Sequence, residues 1–177
     1  MEIPFLIIIA VGFYITLLLT PLLSRYCHKH DILDYPGGRK RHQHPVPRIG
    51  GAAMFIAFIV AGLIGMLIYS EVYFKFRLEI YGILSGLVII FTGGLLDDIY
   101  DFKPLYKFLF QSAAAVVTIA FGYQIKLLTI PFEGTVSLGV WGAPVTFLWI
   151  VGLINAINFL DGMDGLAAGV SLIISAT

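Results

Sequence analysis

The chain of 177 residues is 59% hydrophobic and 12% charged, with a mean hydropathy of +0.93, which excludes a water-soluble domain in favour of an integral membrane protein. Its formal net charge of zero says little until the charges are placed along the chain, and no nucleic-acid partner is expected. One cysteine, Cys27, excludes an internal disulfide framework and gives no metal-binding spacing.

Residues 3–23 form the first spanning candidate, with no Lys or Arg before it and Arg25 and Lys29 after it. A cleaved signal peptide has the opposite flanks, so an uncleaved span is expected, with Pro21 near its stop. The longest polar segment follows, residues 24–48, carrying Arg25, Lys29, Arg39, Lys40, Arg41 and Arg48, six of the 11 Lys and Arg in the chain. The positive-inside rule makes this loop cytoplasmic and the amino terminus external. Pro36, Gly37, Gly38, Pro45 and Pro47 punctuate it, which argues against a long helix. Span two covers about 49–69, and a short external loop of mixed charge covers 71–79. Span three, about 80–96, returns to the cytoplasm and delivers Asp97 and Asp98 there. Span four covers about 105–123 after Pro104. Residues 124–142 are then external, and Val136, Leu138 and Val140, alternating among the turn signals Gly134 and Gly139, fit a short hairpin. Span five, about 143–159, ends inside at Asp161, and span six begins at about 166. The expected fold is therefore an all-α polytopic membrane protein. It has about five complete transmembrane helices, the start of a sixth, and one embedded domain over 1–177.

This weave puts the basic loop and two acidic clusters on one side of the membrane. Polar groups at such depth are costly and mark functional sites by default. The first cluster is Asp97-Asp98 with Asp101. Adjacent carboxylates raise each other's pKa unless a cation intervenes, and Mg²⁺ suits such oxygen ligands; solvated boundary charges are the competing reading. The second is Asn155, Asn158, Asp161 and Asp164 at three-residue spacing. Asn155 and Asn158 share a helix face, and Gly162 and Gly165 loosen the helix so that both aspartates turn inward. Alternatively the asparagines bind neighbouring helices and Asp164 caps the last span. Arg39, Lys40, Arg41 and His42 read either as an electropositive wall for phosphates or as a topology signal drawn to anionic lipid. The four histidines show no clear ligand spacing. Gly50-Gly51 reads as close helix packing, because no Gly-Lys-Ser/Thr follows it.

Three segments together resemble the polyprenyl-phosphate N-acetylhexosamine-1-phosphate transferase superfamily: Arg39-Lys-Arg-His-Gln-His-Pro-Val-Pro-Arg-Ile-Gly-Gly51, Gly94-Leu-Leu-Asp-Asp98 and Asn155-Ala-Ile-Asn-Phe-Leu-Asp-Gly-Met-Asp-Gly-Leu-Ala167. The resemblance implies a multispan enzyme of the bacterial cytoplasmic membrane with a cytoplasmic active face. It would move a sugar 1-phosphate from a UDP-sugar to undecaprenyl phosphate, release UMP and require Mg²⁺ or Mn²⁺. It is most similar to the GlcNAc-1-phosphate transferases that start wall-polymer or O-antigen synthesis. Asp101 stands where phospho-MurNAc-pentapeptide transferases usually carry Lys. By matching motif, Asp97 and Asp98 are implied to be the essential acids, one on the metal and one taking a proton from the lipid phosphate in a direct attack. Asn158, Asp161 and Asp164 are implied to orient the nucleotide-sugar phosphates or the metal, with Asp161 joining Asp97 and Asp98 as a metal ligand. Arg39, Arg41, His42 and Arg48 would line the basic entrance, and Lys107, from its position, would meet the lipid phosphate.

The resemblance also implies a later glycine-rich loop with another essential aspartate and a His/Arg-rich cytoplasmic loop. Neither occurs before Thr177, so an amino-terminal fragment without transferase activity of its own is expected. A homodimer is an open alternative. Competing readings are a phospho-MurNAc-pentapeptide transferase, a Mg-dependent membrane prenyltransferase, and an ion-coupled transporter. Asp97-Asp98-Ile99-Tyr100-Asp101 fits the prenyltransferase DDxxD pattern, but Asp161 and Asp164 lack the spacing of its partner motif. A CDP-alcohol phosphatidyltransferase needs an Ala-Arg dipeptide that is missing after Gly165, and a transporter would place its carboxylates near mid-membrane.

Overall fold

The computed structural model describes residues 2–35, 45–47, 49–131, 134–160 and 166–176. They belong to two compact units, one of Met1–Ile80 with Phe91–Lys107, the other of Tyr81–Ile90 with Phe108–Thr177.

The first unit opens with α1 (Glu2–Lys29), whose 28 residues continue through Pro21. The expected stop at residue 23 is corrected, because hydropathy does not register the helix-competent polar turn that follows. His28 Nδ1–H donates to the Ser24 carbonyl (2.8 Å), and His28 and Lys29 complement the negative end of the helix dipole. The end is closed by Ile32 N–H on the Cys27 carbonyl (2.9 Å), with Asp31 in the left-handed region at φ 57°. The Tyr35 hydroxyl donates to the Asp31 carboxylate, and that bond raises the Tyr35 pKa above its ordinary value. Within the polar loop, β1 (Leu33–Asp34) pairs antiparallel with β2 (Val46–Pro47), a two-residue ladder not anticipated from the sequence.

The α2 helix (Gly51–Ile68) packs on α1. Ala53, Ala57 and Ala61 are buried and, with Gly65, put a small residue at every fourth position. A Cβ at Gly12 would lie 3.7 Å from Ala61 Cβ, and one at Gly65 would lie 3.4 Å from Ile8 Cδ1. These two contacts make the helices antiparallel, and small side chains let their backbones approach without polar glue. The segment expected as an external loop is instead helical: α3 (Ser70–Lys75) is followed directly by α4 (Arg77–Tyr100). Phe55 of α2 stacks on Phe91 of α4 with ring centroids 3.8 Å apart. That stack sets the second turn of α2 beside α4 at Phe91.

In the second unit, α5 (Pro104–Ala120) packs on the middle of α4 through glycine. A Cβ at Gly82 would lie 2.6 Å from Phe121 Cβ, and one at Gly86 would lie 2.4 Å from Thr118 Oγ1 and 3.2 Å from the Ala114 carbonyl oxygen. Thr118 Oγ1 donates to the Gly82 carbonyl (3.2 Å), so the close approach also gains an interhelical hydrogen bond. The expected hairpin is present as β3 (Leu127–Ile130) and β4 (Gly134–Ser137). Its second strand is shorter than the sequence alternation implied, because Val140 lies in a 3₁₀ turn at Gly139–Trp141. Thr146 anchors the hairpin to α6 (Gly142–Leu160): its Oγ1 accepts from Ile125 N–H (2.8 Å) and donates to the Gly142 carbonyl (2.6 Å). The last described helix is α7 (Leu166–Ala176).

Among the described residues, four helices are long and apolar enough to cross a membrane: Ile3–Lys29, Gly51–Ile68, Arg77–Tyr100 and Gly139–Leu160. At 17 residues α5 is roughly 26 Å long, a little under the hydrocarbon thickness. Large apolar side chains such as Leu67 (81% exposed) and Leu148 (69%) stand on the outer faces, as a lipid-facing surface requires. The chain is an all-α polytopic membrane protein.

Candidate functional site

The α4 helix runs unbroken through the acidic pair and stops one turn later. Its end is set by Asp101, a non-glycine residue in the left-handed region at φ 52°, whose N–H returns to the Asp97 carbonyl at 2.8 Å. The next backbone donor, Phe102 N–H, does not reach a helix carbonyl but bonds Asp97 Oδ1 at 2.9 Å. Asp97 Oδ2 meets Lys107 Nζ at 2.7 Å, one turn into α5. Phe102 sits between two tyrosines, with ring centroids 6.4 Å from Tyr100 and 5.6 Å from Tyr106. The three-residue link from α4 to α5 is thus tied down by one carboxylate and an aromatic row.

Asp97, Asp98 and Asp101 lie within five residues at the negative pole of the α4 dipole, where carboxylates are disfavoured. Lys107 offsets one of them. Asp97 and Asp98 are part-buried while Asp101 is exposed. Oxygen-only donors on adjacent carboxylates fit a hard divalent ion by their chemistry. Among the described residues, no three His, Cys, Asp or Glu side chains gather closely enough to hold a metal. Asp161, the third acid nominated by the sequence, lies outside the described residues.

The other nominated residues fall differently. Asn158 is exposed in the last turns of α6, within the second unit. The loosening of the helix expected around Gly162 and Gly165 falls outside the described residues. Asp161, Asp164, Arg39, Arg41, His42 and Arg48 lie outside the described residues. Asn155 takes the alternative the sequence left open and binds a neighbouring helix. Its Nδ2 donates to Gln111 Oε1 (2.8 Å) and to the Val151 carbonyl (2.8 Å), while Gln111 Nε2 reaches back to Asn155 Oδ1 (3.5 Å).

Gln111, only 6% exposed, was not singled out from the sequence, although an amide inside the apolar α5 is itself a signal. Gln111→Leu alone is expected to cost about 1–3 kcal/mol by stranding Asn155, whereas Gln111→Leu with Asn155→Leu recovers most of it. Thermal melting in detergent reads the difference.

Residues 80–177 match the model of glycosyl transferase family 4, and the chain belongs to that family. It is 39% identical over 170 residues to a probable undecaprenyl-phosphate N-acetylglucosaminyl 1-phosphate transferase of Bacillus subtilis, covering 93% of this chain and 46% of the relative. It is 31% identical over 162 residues to the undecaprenyl-phosphate alpha-N-acetylglucosaminyl 1-phosphate transferase of Thermotoga maritima, covering 89% and 46%. A phospho-N-acetylmuramoyl-pentapeptide-transferase of Leuconostoc mesenteroides is 30% identical over 178 residues, covering 92% and 55%. The chain thus spans about half the length of these curated relatives. No solved structure matches it.

Proposed function

We propose that this chain carries part of the site of a transferase that moves GlcNAc 1-phosphate from UDP-GlcNAc to undecaprenyl phosphate at the cytoplasmic face of a bacterial membrane. A phosphate oxygen of the lipid attacks the phosphorus that bears the sugar. The bond to the second phosphate breaks, UMP leaves, and a lipid diphosphate sugar is formed. The observation that carries the reading is the acidic end of a membrane-length helix with a lysine fixed beside it, in a chain of this family. Both substrates are anionic phosphates, so the work of the site is charge neutralisation and alignment. Asp98 and Asp161 supply carboxylates for Mg²⁺ or Mn²⁺, which when bound would neutralise phosphate charge, while Asp97 stays paired with Lys107. Asn158 and Asp164 orient the nucleotide sugar, Lys107 meets the lipid phosphate, and Arg39, Arg41, His42 and Arg48 line the entrance.

GlcNAc is favoured over the muramoyl pentapeptide by the greater similarity to the Bacillus relative and by Asp101. The test uses the complete reading frame that contains this chain, in membranes with undecaprenyl phosphate and Mg²⁺. UMP release from UDP-GlcNAc, absent without the lipid, is the expected result. Release from UDP-MurNAc-pentapeptide alone would move the chain to the other subfamily, and release from neither would sink the transferase reading. For the orientation, Lys103→Cys is expected to react with an impermeant maleimide only in opened cells, and Lys126→Cys in intact spheroplasts. The reverse pattern would invert the topology.

A further inference from the structure

We infer that Asp97 is a positioning residue: it holds the Lys107 ammonium in place to receive the anionic phosphate of the lipid acceptor. The inference rests on the transferase reading and divides the labour of the acidic pair.

Both oxygens of Asp97 are already committed. Oδ1 takes the Phe102 N–H at 2.9 Å and Oδ2 takes Lys107 Nζ at 2.7 Å. A carboxylate has spare lone pairs, but swinging it onto a cation would break both bonds. Those bonds define the turn: the Asp97 carbonyl also accepts from Asp101 N–H, so one residue closes the backbone and the side-chain layer of the α4–α5 link. Lys107 lies one turn beyond that link, and its height beside α4 is therefore fixed by Asp97.

The lysine remains available. Its side chain is 38% exposed against 24% for Asp97, and an ammonium has three donors, of which the carboxylate uses one. A free lysine carries large rotamer entropy, and the ion pair removes that entropy before substrate arrives. Where solvent still reaches both partners, such a pair contributes little to stability. Preorganisation of a phosphate-binding cation is a better account of it than folding.

A double-mutant cycle on the complete reading frame in membranes tests this, with KM measured separately for undecaprenyl phosphate and UDP-GlcNAc. Asp97→Asn keeps an acceptor for Phe102 N–H and removes the charge that holds Lys107. Asp97→Asn and Lys107→Gln are each expected to raise the lipid KM by about 10-fold or more, with the UDP-GlcNAc KM within about 2-fold of wild type. The double variant should be no worse than the poorer single, because the two residues act as one unit. Lys107→Arg, which keeps the charge and the reach to Asp97, should restore the lipid KM to within about 3-fold of wild type. Multiplying losses, or an Asp97→Asn defect wholly in kcat beside a near-normal Lys107→Gln, would overturn the inference and leave the transferase reading standing. A wild-type complete reading frame without lipid-dependent UMP release would overturn both.

Discussion

Asp98→Asn is expected to slow lipid-dependent UMP release by at least about 100-fold, the scale on which removing one preorganised electrostatic group acts. The helix carries Asp98 to its last turn, part-buried, beside Asp97 and three residues before Asp101. Lys107 pairs with Asp97, and Asp98 and Asp101 share the negative pole of α4 with it. Mg²⁺ takes one or two carboxylates and completes its shell with water and phosphate oxygens, so loss of the Asp98 charge should weaken the ion as well as the rate. The variant should need several-fold more Mg²⁺ for half-maximal activity, and chelation should silence the wild type until Mg²⁺ or Mn²⁺ is returned. A loss below about 5-fold with unchanged Mg²⁺ dependence would make Asp98 a solvated boundary charge.

Gly86→Leu is expected to be the most damaging change outside the acidic end. Even the first added carbon would lie 2.4 Å from Thr118 Oγ1 and 3.2 Å from the Ala114 carbonyl oxygen. The threonine can turn, but the carbonyl belongs to the α5 backbone and cannot. The helices must separate, and the Thr118 bond to the Gly82 carbonyl goes with them. Overpacking of this kind costs about 3 kcal/mol or more when backbone has to move. Gly86→Ala should be intermediate, and adding Thr118→Ala should relieve only part of its cost. Melting in detergent checks the series. A Gly86→Leu protein that melts within about 2 °C of wild type would mean that α4 and α5 do not pack through this glycine.

The spans were legible because apolar runs near membrane length, bounded by charges, leave few alternatives. What was missed lies where hydropathy carries no information. The polar turn that extends α1 to Lys29 and the helical segment at Ser70–Lys75 are both charged enough to read as loop. The hairpin was placed correctly, but its second strand ends at Ser137 because Gly139, at φ 50°, turns the chain into the 3₁₀ segment. In the site, Asp97 and Asp98 announced themselves as charge at an apolar boundary. Lys107 was reached from position alone, since its pairing with Asp97 depends on the left-handed Asp101 that no composition reveals. Gln111 and Asn155 are 44 residues apart, and a single sequence does not couple two amides at that distance.

The central claim is transfer of a phosphoryl-linked sugar rather than of the sugar alone, and the fate of one atom decides it. UDP-GlcNAc labelled at the phosphorus next to the sugar would be given to membranes carrying the complete reading frame, with undecaprenyl phosphate and Mg²⁺. The account predicts label in the lipid product and unlabelled UMP in solution. Label left in solution as UDP, with sugar on the lipid, would contradict it.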